Sequence, residues 1–327
     1  MAYSQPVVGG DPASLFAKYL IRQFIDGLKS DLFFTDYTRK CKVPKGAGSY
    51  VGRWNLPTFQ VGSITPLTPG SIKAVGSGVE FTPIEAEIKD YGDSMTIDDL
   101  AHCASISEAL DEYKDIMVYE GASSINTLLY NQAITSTHFL HAGDDTIDGT
   151  TIIAGNTLSL KDIAVIAKFF RGNDAKGFAS LGGDFMFAIH PDAEFHLVTQ
   201  VPGATGAVNT WIDVNKHVPA GYDQLVKNHR YVGRYNGVTV LRTNLIADVT
   251  EDTIASKNNV ALADWGLGSL GLGEKGPTAP KVKFKSPGPH STNDPLDQIH
   301  TLGWKYRMAP KILDAANRAL TVISSDA

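Results

Sequence analysis

Glu80-Phe-Thr-Pro-Ile-Glu-Ala-Glu-Ile-Lys-Asp-Tyr-Gly-Asp-Ser-Met-Thr-Ile97 decides how this 327-residue chain is read. Ile84, Ala86 and Ile88, then Met95 and Ile97, alternate with polar residues, which is the period of a strand with one covered face. Upstream, Gly46, Gly48, Gly52, Gly62, Gly70, Gly76 and Gly78 alternate with Pro44, Pro57, Pro66, Pro69 and Pro83. These residues exclude helix and favour turns and edge strands. Ser49-Tyr-Val-Gly-Arg-Trp-Asn-Leu56 supplies a second strand, so residues 45–97 read as a long two-stranded flap with a Gly/Pro/Ser/Thr-rich tip at 57–79. A lone hairpin is marginal in water, and ordered loops beyond about 12–15 residues are uncommon without a role outside their own domain. The flap is therefore expected to pack on another copy of the protein.

The flap runs into a helix. Ser105-Ile-Ser-Glu108 is a capping box, in which the serine hydroxyl accepts from the Glu108 backbone N–H and the carboxylate reaches back. Ile106, Leu110, Tyr113, Met117, Ser124, Leu128 and Leu129 then trace one face, followed to about Thr137. At 1.5 Å per residue, about 30 residues make a spine of roughly 45 Å. At the other end of the flap, Leu15, Phe16, Tyr19, Leu20, Phe24, Ile25 and Leu28 form a wide apolar helix face capped by Asp11 or Ser14. Leu32, Phe33, Phe34 and Tyr37 follow it, to be buried either in the subunit's own core or against a neighbour.

Downstream, His138 to Gly155 is polar and turn-rich. Ser159-Leu-Lys-Asp162 opens a second amphipathic helix with Ile163, Ile166, Ala167 and Phe170 on one face, stopped at Gly172-Asn173. Residues 176–299 change to short strands and turns. Phe185 to Ile189 reads as a buried strand, His190-Pro191 starts a helix, and Tyr231 to Thr243 is a hairpin turned at Asn236-Gly237. Gln298 to Arg307 and Lys311 to Ser324 are extended or mixed segments returning to the lobe of the spine helix. The fold class is α+β.

Composition narrows the function. The chain is 43% apolar and 20% charged, an ordinary globular balance, and its net charge of -6 argues against a dedicated nucleic-acid binder. It does not argue against a protein that surrounds nucleic acid without gripping it. No apolar run approaches the roughly 18–20 residues of a membrane span, and Met-Ala-Tyr-Ser-Gln-Pro lacks the regions of a signal peptide, so use in a cytoplasm without membrane contact is expected. Cys41 and Cys103 are far apart and lack metal spacing, which leaves no disulfide framework or zinc site.

Motifs for chemistry are weak. Gly266-Leu-Gly268-Ser-Leu-Gly271 matches a dinucleotide-binding pattern by letter, yet Gly273, Gly276, Pro277 and Pro280 follow where a helix is needed, so a turn is expected. His190 and His196 could share a helix face but have no third ligand at a sensible offset. Asp144, Asp145 and Asp148 read as a solvated loop. Lys281, Lys283 and Lys285 put three ammonium groups on one side of a strand, and blunting an exposed sheet edge is the commoner use of such lysines than touching packaged nucleic acid. No catalytic residue, cofactor site or metal site is assigned.

The order of segments, a helical N-terminal arm, an extended loop, a spine helix, an α+β lobe and a return strand, resembles the major capsid proteins of tailed bacteriophages, the Hong Kong-type (HK97-like) coat fold. Val51-Gly-Arg-Trp54, Thr65-Pro-Leu-Thr-Pro-Gly70, Ile88-Lys-Asp-Tyr-Gly-Asp93 with Ile97-Asp-Asp-Leu100, and His300-Thr-Leu-Gly-Trp-Lys305 resemble the branch typified by the coat protein of phage N4. The resemblance implies a virion subunit, assembled in a host cytoplasm, that forms hexamers and pentamers on an icosahedral lattice around double-stranded DNA. It divides the chain into an N-terminal arm (1–45), an extended loop (46–97), a peripheral domain (98–175 with 300–327) and an axial domain (176–299). Arg53, Trp54, Phe59, Ile64, Leu67 and Ile72 of the loop, and Phe16, Phe24, Phe33 and Phe34 of the arm, are the expected inter-subunit contacts. No long charged helix precedes the arm, so a separate scaffolding protein is expected, with a portal and a decoration protein as further partners. The starting Met1 leads us to expect no removal of an N-terminal segment. Two rival functions are a bacterial nanocompartment shell, which shares the fold, and a nucleotide-binding enzyme.

Overall fold

Strand periodicity and helix caps are realised in the computed structural model, which describes residues 32–43, 51–57, 80–98, 108–149, 155–199, 211, 230–251, 254–272, 281–285 and 299–325. A first sheet has five strands: β1 (Arg39–Val43), β4 (Lys89–Asp98), β11 (Leu267–Leu272), β12 (Lys281–Lys285) and β13 (Ile299–Ile312). β13 is its axis, paired antiparallel with β4 over Met308 to Ile299, with β12 over Lys305 to Thr301, and with β11 over Ile312 to Ala309; β1 runs parallel to β11. The flap is the separate antiparallel pair β2 (Val51–Pro57) and β3 (Phe81–Glu87), with Trp54 opposite Ile84 and Arg53 opposite Glu85.

The second sheet has seven strands: β5 (Phe139–His141), β6 (Phe185–Ile189), β7 (Tyr231–Tyr235), β8 (Val238–Arg242), β9 (Asp248–Glu251), β10 (Ile254–Leu262) and β14 (Ala319–Ser325). Its order is β5-β14-β10-β6-β8-β7, with β9 on β10. Both faces are covered, which is why Phe-Met-Phe-Ala-Ile in β6 is apolar without alternation. Met186 and Ala188 point to a core shared with α1 (Glu108–Ala133), while Phe185, Phe187 and Ile189 point to one shared with α2 (Leu160–Gly172) and α3 (Pro191–Thr199). Ile163, Ile166, Ala167 and Phe170 of α2 are all buried, as their spacing requires.

Asn236 (φ 50°) and Gly237 (φ 78°) make the turn between β7 and β8, a pair of left-handed residues only a type I′ loop accommodates. Arg171, at the end of α2, donates to the Asn236 carbonyl at 2.6 Å and fixes that turn to the helix.

Three expectations are corrected. Residues 139–141, 160–172 and 319–325 belong with the seven-stranded sheet, so the two lobes do not divide at 175 and 300. β-Strand pairing, a long-range property, overrides the sequence order used to draw that boundary. The buried stripe of α1 is Met117, Val118, Ala122, Ile125, Leu129, Tyr130 and Ala133, rotated from the expected one because the helix packs between two sheets, and Ser124 and Leu128 sit at its margin. Third, Leu267–Leu272 is a strand, not the turn expected at Gly266 to Gly271. Ser105 to Ser107 of the expected capping box lie outside the described residues.

Candidate functional site

The flap has two unlike faces. Its inner face, Trp54 and Leu56 with Ile84 and Ala86, packs with Val43, Ile88, Leu270, Ala309 and Leu313, so the pair is seated on β1, β11 and the end of β13. Trp54 is only 4% exposed, and its indole Nε1 has no hydrogen-bond partner among the described residues. The seat is made by apolar area alone, which is the support a lone hairpin needs. The outer face exposes Val51 (45%), Phe81 (57%), Arg53, Glu85 and Glu87.

These placements correct part of the expected contact set. Trp54 is spent inside its own subunit. Phe33 (3% exposed) and Phe34 (0%) are likewise core residues, meeting edge to face at 4.9 Å, with both backbone N–H groups donating to the Asn126 side chain of α1. That clasp satisfies two donors that burial would otherwise strand. Arg53 stays exposed; Phe59, Ile64, Leu67, Ile72, Phe16 and Phe24 lie outside the described residues.

β13 alternates strictly. Leu302, Trp304, Tyr306 and Met308 are buried against α1, while Lys305 and Arg307 face outward. Inside, Tyr91, Tyr306 and Trp304 form a stack with centroid spacings of 5.4 and 5.3 Å. Burial pushes the Tyr306 phenol up to about 12, and its oxygen lies 3.0 Å from Ser124 Oγ. Sequence reading missed this stack, although the Leu-x-Trp-x-Tyr-x-Met alternation at 302–308 signals it. Outside, Asp90 meets Arg307 Nε at 2.5 Å and Lys305 Nζ at 2.8 Å. Hydrogen bonds from those two cations, Arg307 foremost, hold the Asp90 carboxyl below its usual range. Lys283 of β12 is exposed beside them, with Lys281 and Lys285 opposite Lys305 and Thr301 in the ladder. β12 has no second strand partner among the described residues, so the three lysines occupy a sheet edge.

The remaining sequence candidates are structural. Leu313 packs over Gly268 and the Arg318 and Ala263 carbonyls lie against Gly266, so these glycines face protein where a pyrophosphate would have to lie. His190 Nδ1 lies 3.0 Å from Asp192, and no group of three potential metal ligands occurs among the described residues. Asp145 pairs with Lys161, and Asp148 with His138. Asp162 is the most perturbed acid described: wholly buried, it accepts from Ser159 N (2.8 Å), Ser159 Oγ (2.8 Å) and Gly143 N (2.9 Å), yet desolvation raises it to about 6. It closes the cap of α2 and ties that helix to the loop after β5. A cleft of about 320 Å³ between α1 and the start of α3 is lined by Phe33, Tyr119, Asn126, Pro191, Arg230 and Arg242. Arg242 pairs with Glu194 at 3.2 Å and Arg230 lies over the Phe33 ring, so these cations brace the fold.

No family model and no curated protein matches the sequence. Solved structures do match. The chain is similar to that in the capsid of Ralstonia phage GP4, with TM-score 0.68 at 11% identity over 90% of this chain and 91% of that one. The chain in the cyanophage Pam1 capsid asymmetric unit gives 0.63 at 11% identity over 100% and 95%. That in the head of Helicobacter pylori bacteriophage KHP40 gives 0.59 at 7% identity over 91% of each. Flap, spine helix, five-stranded sheet and seven-stranded sheet thus constitute the HK97-like coat fold of these phage capsid chains.

Proposed function

We propose that this chain is the major coat subunit of a tailed bacteriophage, a structural protein and not an enzyme, which assembles into hexamers and pentamers of an icosahedral shell enclosing double-stranded DNA. The observation that carries this reading is the flap, seated on the subunit by one apolar face while exposing Val51 and Phe81 on the other, together with a fold shared over nearly the whole length of phage capsid chains. A closed shell needs head-to-tail contacts repeated around rotation axes, and an arm laid on the next copy supplies them. The acidic balance of the chain suits a wall along which DNA slides during packaging.

Within this reading the chain belongs to the branch typified by the phage N4 coat protein, assembles in the host cytoplasm with a separate scaffolding protein, and has a portal as a further partner. Removing residues 57–79 tests the role of the flap. The variant is expected to keep the thermal unfolding of the subunit and to lose closed particles; normal particles would overturn the arm-on-neighbour reading.

A further inference from the structure

The turn between β7 and β8 carries a pair of residues that can react with each other. In Asn236-Gly237 the glycine has no Cβ to shield its backbone nitrogen, and Asn236 is exposed at the tip of the hairpin. The Gly237 nitrogen can attack Asn236 Cγ and close a five-membered imide. The side-chain nitrogen then leaves as ammonia, taking the proton that the attacking nitrogen gives up. Water opens the imide at either of its two carbonyls, and nothing is oxidised or reduced. One opening yields aspartate; the other yields isoaspartate, which adds a methylene to the main chain. A two-residue loop has no slack for that methylene. Tyr235 pairs with Val238 directly across it, and the Phe185 N–H of β6 donates to the Gly237 carbonyl at 2.9 Å.

Closure requires Asn236 to turn about its own backbone until Cγ lies on the Gly237 nitrogen. The ladder on both sides of the turn resists that rotation, and so does Arg171. From the last turn of α2, Arg171 donates through Nη2 to the Asn236 main-chain carbonyl at 2.6 Å and through Nη1 to Asn236 Oδ1 at 3.0 Å. The guanidinium is a rigid planar fork, so it holds these two oxygens side by side. In the imide the same two carbonyls lie on opposite sides of the ring nitrogen and point apart, where one fork cannot hold both. A cation on Oδ1 alone would favour attack by stabilising the charge that oxygen gains. The second bond, to the main chain, is what makes the contact a restraint. Asp184, the carboxylate beside Gly237, accepts from Arg234 Nη2 at 2.7 Å and Thr239 Oγ1 at 3.1 Å, and is thereby held from taking the Gly237 proton. We propose that Asn236-Gly237 is a latent self-modification site and that Arg171 is the positioning residue that keeps it unreacted, which ties the chemical durability of the hairpin to the seating of α2. Neither depends on the shell reading.

Peptide mass spectrometry tests it on the full chain. Trypsin releases residues 235–242 as one peptide, in which aspartate and isoaspartate at 236 are told from asparagine by mass and by chromatography. At mildly alkaline pH, Arg171→Ala and Arg171→Lys, each checked for native circular dichroism, are expected to convert about tenfold faster than wild type, the loss of a charge-assisted bond to the open form. The lysine variant keeps the charge and loses the fork, so it separates the two. In urea all three are expected to share one faster rate, since the contact spans 65 residues and exists only in the folded chain. Equal rates for folded wild type and both variants would overturn the role of Arg171, and Arg171→Lys converting as slowly as wild type would overturn the fork. Folded wild type converting as fast as wild type in urea would overturn the proposal without recourse to any variant.

Discussion

Two residues show how local physics fixes this subunit. Asp162 is buried under α2, and its raised value means the folded state holds its proton more tightly than the unfolded chain. Between about pH 4 and 6 the folded protein therefore binds more protons, and stability falls as pH rises through that window, by up to about 3 kcal/mol for a shift of some two units. Urea midpoints at pH 4.5 and 7 should differ in this sense, and Asp162→Asn should flatten the difference while costing about 1–3 kcal/mol for the backbone donor left unmet. The cap was legible in Ser159-Leu-Lys-Asp162; the weakened acidity was not, because it comes from the full burial of the carboxyl, to which the loop at Gly143 contributes from 19 residues away. Gly92 is the second case. A Cβ there would sit 2.5 Å from the Trp304 carbonyl oxygen, a backbone atom that cannot turn aside. Gly92→Ala is expected to force β4 from β13 and cost about 1–3 kcal/mol, read as a lowered melting temperature. Its sequence neighbours mark a strand, but nothing local marks the close approach.

Among the elements, the flap carries the most specific expectation. Its strands could be read from Gly/Pro punctuation and from Ile84, Ala86 and Ile88, but its inner seat could not, since Val43, Leu270 and Ala309 come from three strands far apart in sequence. For the same reason Trp54, Phe33 and Phe34 were expected on a neighbour and are found in the subunit: an aromatic wanting a partner surface does not say whose. Trp54→Ala should leave global unfolding nearly unchanged while making the flap sensitive to limited proteolysis, because the cavity lies in the seat and not in the two main cores. Trp54→Phe should be close to neutral, as the buried Nε1 has no partner to lose. A large loss of global stability on Trp54→Ala would mean the flap belongs to the cooperative core. The spine helix was legible in existence but not in orientation. It packs between two sheets, so Ala122, Ile125 and Tyr130 join its buried stripe, and Ile116 and Tyr119 are left exposed.

Across the whole molecule, segment order carried more information than any motif. Arm, flap, spine, lobe and return strand were visible as changes of periodicity, and the fold they suggested is shared with phage capsid chains at identities as low as 7%. What the order could not give is the pairing of β5 and β14 into the seven-stranded sheet, or the concentration of Lys and Arg on the five-stranded one. Both arise from strands brought together from distant parts of the chain. On the proposed reading, a subunit built this way seats one face of its flap on itself and offers the other to a second copy. Negative-stain electron microscopy of the purified protein, alone and from a co-expressing or infected lysate, tests that claim most directly. Closed shells or hexameric rings tens of nanometres across, or arrays of them, are the predicted result; a uniform small oligomer under every condition would contradict it.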